Sequence, residues 1–125
     1  MEYSAEVQQR FEAALNAAES AGADGEIQAS GEAEDRSLGV WVRARIGVTD
    51  GRIVAAAFDV YGCPDTIAAA QMAAEQLRGV ALADFTGLSA RELAAGLEIP
   101  TEKLGKVLRL EDAVQAAVTQ ALKQR

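Results

Sequence analysis

The sequence predicts a small α+β domain. Three observations carry that prediction: two consecutive runs alternate apolar and polar residues with the period of a strand, a compact Asp50-Gly51 turn joins them, and helical spacing both precedes and follows them. With 125 residues, half of them apolar, the chain is long enough for one core and too short for two ordinary domains. Residues 1–125 are therefore read as a single domain.

Taken in order, Val7, Phe11, Leu15 and Ala18 fall on one helical face between Ser4 and about Ser20, with Ser4 as the cap. From Ala21 to Arg36 the periodicity is lost among Gly22, Gly25 and Gly31, which reads as a loop with room for one short edge strand. Leu38 to Val48 then alternates: Leu38, Val40, Val42, Ala44, Ile46 and Val48 point one way, and Trp41, Arg43 and Arg45 the other. After Thr49-Asp50-Gly51 the second strand runs from Arg52 to Tyr61, with Val54, Ala56, Phe58 and Val60 on its apolar side. An antiparallel sheet covered on one face follows.

An alanine-rich helix is expected from Thr66 to about Arg78, stopped by Gly79. Residues 81–87 read as a connecting turn. Ser89 and Glu92 have capping-box spacing for a short helix to Ala95, closed by Gly96. Pro100-Thr101 opens the last helix, where Leu104, Val107, Leu108, Val114, Val118 and Leu122 share a face and Lys123 and Arg125 suit its C-terminal end. Glu111 and Asp112 diverge around that helix, which fits a solvated face better than a shared proton.

Composition excludes whole classes of function. A net charge of −7, from 19 acidic and 12 basic residues, disfavours nucleic acid and anionic membranes as partners. The chain has no histidine, so imidazole catalysis, serine-histidine triads and histidine metal ligation are excluded within it. One cysteine forms no internal disulfide, the N-terminus lacks the charge and apolar core of a signal peptide, and no apolar run approaches the roughly 20 residues that span a bilayer. A cytoplasmic protein is expected. No acid-base or nucleophile constellation, phosphate loop or dinucleotide fingerprint is present, so no enzyme is expected.

That one cysteine sits where the second strand breaks into a helix, in Tyr61-Gly62-Cys63-Pro64-Asp65-Thr66. Gly62 permits the bend and Pro64 suits a first helical position, which puts Cys63 at a helix N-terminus, where the dipole and free N–H groups favour a thiolate. Asp65 is expected to oppose this with a second negative charge. The competing reading is a small cysteine that merely packs. Trp41, Arg43 and Arg45 form a basic, aromatic-bearing stripe, either a partner contact or, the preferred reading, a solvated face with the tryptophan lying over arginine stems.

Tyr61-Gly62-Cys63 at the end of a hairpin, the helix closed by Gly79, Leu97-Glu98-Ile99-Pro100, Leu110-Glu111-Asp112-Ala113-Val114 and Ala116-Ala117 resemble the iron-sulfur cluster assembly scaffolds IscU and the NifU N-terminal domain. Tyr3-Ser4, Val7 and Asn16 add to the likeness, which runs over essentially the whole chain. The resemblance implies a small α+β sandwich with a three-stranded antiparallel sheet and helices on one face. It implies cluster or iron binding, and cysteine desulfurase and other assembly proteins as partners.

Family members hold a nascent cluster with three cysteines, an aspartate and a histidine, and in this alignment only the central cysteine is kept, as Cys63. It is the candidate sulfur acceptor or metal ligand. The lost positions fall on Leu38 and Val40, either side of a retained Gly39, and on Gly105 and Lys106. The family's chaperone-binding segment corresponds to Ile99, Pro100, Thr101, Glu102 and Lys103. Two functions are therefore expected: a scaffold-like protein that accepts sulfur or regulates a desulfurase, or an interaction module using Trp41, Arg43 and Arg45 or the last helix.

Overall fold

The computed structural model describes residues 25–124. The helix expected at 4–20 lies outside the described residues. The remainder is a three-stranded antiparallel sheet in the order β1(Ile27–Asp35), β2(Val40–Thr49) and β3(Arg52–Tyr61). Three α-helices follow, α1(Pro64–Leu77), α2(Ala90–Gly96) and α3(Leu104–Lys123), with 3-10 turns at Leu82–Asp84 and Thr101–Lys103. The helices share one face: α1 packs on β3, α3 on β1 and β2, and α2 leans on α3. The α+β class with a three-stranded sheet is thus as expected.

The central strand is as the alternation requires, with Val40, Val42, Ala44, Ile46 and Val48 all buried. It begins at Val40 and not at Leu38, which lies in the preceding turn and is 39% exposed. Asp50 and Gly51 both take positive φ, 53° and 74°, the signature of the two-residue turn that matches strand twist.

Three expectations need correction. Residues 27–35 are a full nine-residue strand and not a loop: Ala29 and Gly31 face inward while Gln28, Ser30, Glu32 and Glu34 face out. Small inward residues hide the alternation. Val54 is not on the apolar side. Pairing moves from Gly47↔Ala55 to Val48↔Ile53, leaving Val54 as the extra residue of a β-bulge. That flips the parity, so Ile53 is fully buried and Val54 is 49% exposed. On α3 the buried face is Val107, Leu110, Ala113, Val114, Ala117, Val118 and Ala121, and Leu122 is exposed.

Gly31 explains why β1 and α3 meet so closely. A Cβ built there would lie 2.5 Å from the Ala117 backbone nitrogen and 2.6 Å from Ala116 Cβ. The helix also covers the free edge of β1, since Ser30 N–H donates to Gln120 Oε1 at 2.7 Å and Gln124 Nε2 donates to the Gln28 carbonyl at 3.2 Å.

Glu111 is not on a purely solvated face either. Its Oε1 accepts the Ala90 N–H at 2.7 Å, so it caps α2 from across the fold while Ser89 Oγ accepts the Glu92 N–H at 3.2 Å. Asp112 remains exposed, paired with Arg109 at 3.3 Å. The chain leaves α2 through Glu98, whose φ of 57° is left-handed.

Replacing Gly31 with alanine forces β1 and α3 apart. The urea midpoint of Gly31→Ala is expected to fall, by about 1–3 kcal/mol of stability for overpacking of this kind. An unchanged midpoint would mean that the helix does not approach the strand as described.

Candidate functional site

One end of the sheet gathers the residues that the sequence singled out. The turn between β1 and β2 delivers Leu38 and Gly39 to this end, β3 delivers Tyr61 and Gly62, α1 begins here at Pro64, and α3 begins here at Leu104. The turn is built on Asp35, whose Oδ1 accepts from the Ser37 N–H at 3.0 Å and the Leu38 N–H at 3.3 Å, and Gly39 follows with a φ of 68°.

Leu38 reaches across to α3: a Cβ at Gly105 would stand 3.0 Å from Leu38 Cδ1. Val40 sits by the bend, its Cγ2 at 3.5 Å from where a Gly62 Cβ would be, with Thr66 Cβ at 3.6 Å from the same point. Lys106 is close enough for its charge to act on Cys63. The five positions Leu38, Val40, Cys63, Gly105 and Lys106 therefore share one end of the fold.

Cys63 is the N-cap of α1, in extended backbone geometry, with Pro64 at the first helical position. It is half-buried and free. Its Sγ lies 3.5 Å from Thr66 Oγ1, and Thr66 is fully buried. Burial pushes the thiol up. The Thr66 hydroxyl, the Thr66 N–H, the Lys106 ammonium and the Asp65 N–H together outweigh that and hold the thiol below its ordinary value.

The expected opposition from Asp65 is corrected by a contact that no local reading reaches. Asp65 is buried, and its Oδ2 accepts from Lys103 Nζ at 2.6 Å. The carboxylate points inward to a cation and away from the sulfur's hydroxyl partner, Thr66. Asp65, Thr66 and Lys103 are the buried polar or charged residues among those described.

Within residues 99–103, Ile99 and Lys103 are buried and Pro100, Thr101 and Glu102 are exposed. The basic stripe runs from Trp41, which pairs across the strands with Tyr61, away along the sheet through Arg43 and Arg45. Arg43 Nε donates to Asp59 Oδ2 at 2.8 Å, Arg45 NH2 donates to Asp59 Oδ1 at 3.2 Å, and the Arg43 guanidinium stands 5.9 Å from the Trp41 ring. Both guanidinium groups share the one Asp59 carboxylate. Among the described residues no three His, Cys, Asp or Glu side chains come together as metal ligands, and no helix is long and apolar enough to cross a membrane.

Sequence reasoning missed Lys103 as part of this end. In the sequence Lys103 stood only as part of the segment resembling the family's chaperone-binding motif, and its partner lies 38 residues away.

The chain is similar to several known proteins. The "Iron-sulfur cluster assembly protein 1" of Arabidopsis thaliana is 34% identical over 77 residues, 62% of this chain and 46% of that one. The "Iron-sulfur cluster assembly scaffold protein IscU" of Buchnera aphidicola subsp. Schizaphis graminum is 27% identical over 120 residues, 95% of this chain and 93% of that one. The match to the first of these spans about half of the relative's length. A solved structure from Fervidobacterium islandicum, described as an iron-sulfur cluster assembly scaffold protein for the SUF system, shares the fold with a TM-score of 0.53 at 19% identity, covering 88% of this chain and 79% of that one.

Thr66→Val keeps shape and removes the hydroxyl, so the pH midpoint for alkylation of Cys63 by iodoacetamide is expected to move up; no movement would remove Thr66 from the site. A thiol held below its ordinary value stabilises the fold once it ionises. That increment is complete above the ordinary thiol range and is lost as pH falls through the folded value. The melting temperature of the parent should therefore rise relative to Cys63→Ser as pH is raised, and a constant difference across the thiol range would contradict the lowered value. The family model for the NifU-like N-terminal domain matches residues 2–125, and the chain belongs to that family of iron-sulfur cluster assembly scaffold proteins.

Proposed function

We propose that this chain serves iron-sulfur cluster assembly as an acceptor of sulfur at Cys63, and not as a one-chain cage for a cluster. The observation that carries the reading is one activated thiol with a lysine beside it, at a position where the family resemblance places a ligand. An iron-sulfur cluster is held by about four protein ligands, usually thiolates. This chain has one cysteine and no histidine, a donor set that does not fit a cluster held by one copy. The Lys106 ammonium favours an anionic sulfur and disfavours a cationic iron.

The step is a thiol–persulfide exchange. The Cys63 thiolate attacks the outer sulfur of a persulfide on the donor, the donor's S–S bond breaks, and the donor leaves as a thiolate. Cys63 then carries the persulfide. One sulfur atom at the zero-valent level is passed on, so no external oxidant or reductant is needed. The donor class that fits is a cysteine desulfurase, which does the turnover; this chain is not itself an enzyme. Leu38 and the 73% exposed Tyr61 stand at the same end and offer such a donor an apolar footing.

Anaerobic incubation with a cysteine desulfurase and cysteine, read by intact mass, tests the proposal. The parent is expected to gain one sulfur atom and Cys63→Ser none. Added ferrous iron should give no stable visible charge-transfer band. Sulfur loading that survives Cys63→Ser, or a stable band from the monomer, overturns the reading; slowing of the desulfurase without loading would make the chain a regulator instead.

A further inference from the structure

We propose that Lys103 is a positioning residue for Cys63, acting through the buried carboxylate of Asp65. The inference deepens the reading of Cys63 as a sulfur acceptor and rests on it. It starts from a cost. Taking an aspartate and a lysine out of water in a small apolar core is expensive, and an ion pair so placed seldom adds net stability over apolar residues of similar size. Its best-attested use is to fix one arrangement against others.

Here the arrangement fixed is the start of α1. Asp65 is two residues past Cys63, in the first turn, where a helix leaves its N–H groups free. Its side chain turns inward and is held by Lys103 Nζ at 2.6 Å, with both residues buried. The hydroxyl of the next residue, Thr66, lies 3.5 Å from the sulfur, while the Thr66 N–H donates to the Cys63 carbonyl at 3.0 Å. Asp65 is therefore anchored in the core by its side chain, one residue before the hydroxyl that meets the sulfur.

The Cys63 side chain has no bond that caps its own helix, so it is the backbone of the first turn that places its sulfur. Lys103 is itself fixed: it closes a 3-10 turn, its N–H donates to the Pro100 carbonyl at 2.9 Å, and α3 begins at the next residue. The ion pair thus ties the start of α1 to the start of α3, which also carries Lys106. Cys63 stands at one of these helix starts and Lys106 at the other, and the contact that joins the two starts is made by neither of them.

The test uses the full chain and glutathione persulfide as donor. Cys63 attacks its outer sulfur, glutathione leaves as the thiolate, and intact mass follows the gain of one sulfur. Asp65→Ala with Lys103→Met removes both charges of the pair together, so the fold should persist by circular dichroism. Loading of Cys63 is expected to slow by about tenfold or more, the scale of effect that loss of positioning has on a reacting group. Lys103→Arg keeps a cation for Asp65 and should load faster than the double variant.

Parental loading in the double variant overturns the proposal, as does a Lys103→Arg protein as slow as the double variant. Lys103→Gln, which keeps a donor but shortens its reach, is a second reading if the double variant does not fold: loading slower than the parent is expected, and a parental rate overturns the proposal. Alkylation by iodoacetamide is run on the same set. A parent that is alkylated but takes no sulfur would defeat sulfur acceptance alone, while the order of alkylation rates still decides the role of Lys103.

Discussion

A carboxylate and an ammonium 2.6 Å apart and out of water leave little freedom to the segments that carry them. Asp65 belongs to the first turn of α1 and Lys103 to the turn that opens α3, so this pair sets how the two helices begin relative to each other. Around it the core is aliphatic: Val107, Leu110, Leu93 and Leu97 are fully or almost fully buried. Such side chains fill space without specifying orientation. The ion pair supplies the direction that they lack, and Thr66, the third buried polar residue among those described, carries it on to the sulfur.

The same end of the molecule depends on a close approach at the far side of the sheet. Gly31 lets α3 settle against β1, and the length of α3 then carries that position back to Gly105, where Leu38 rests. The β1–β2 turn is consequently held from two directions, by the side chain of Asp35 within the turn and by α3 beneath it. A residue in the sheet and a residue in the site are linked through one rigid helix. The link is steric and needs no moving part.

Much of this was legible in the sequence where one local signal was enough. The alternation of β2, the Asp50-Gly51 turn, Pro64 after Cys63 and the Ser89-Glu92 spacing each act within a few residues, and each lies where the chain places it. The failures have a common cause. β1 was hidden because its inward residues are Ala29 and Gly31, which fill the space left by a helix that comes from 80 residues later. Val54 fits either strand face by composition, and only the bulge decides which. Asp65 read as an obstacle to a thiolate because its neutralising partner is remote in sequence. In every case the deciding atom came from another element.

The balance of forces on Cys63 bears on what its chemistry favours. Hydrogen bonds and a neighbouring cation acting alone on an open thiol would lower its value much further, and a thiolate so stabilised is a weaker nucleophile. Burial opposes them here and is the largest single influence. The outcome is a sulfur that ionises more readily than an ordinary thiol yet keeps part of its nucleophilic strength. A group that must attack a persulfide and then release the sulfur again gains on both steps, because it must serve as attacking thiolate first and as leaving thiolate second.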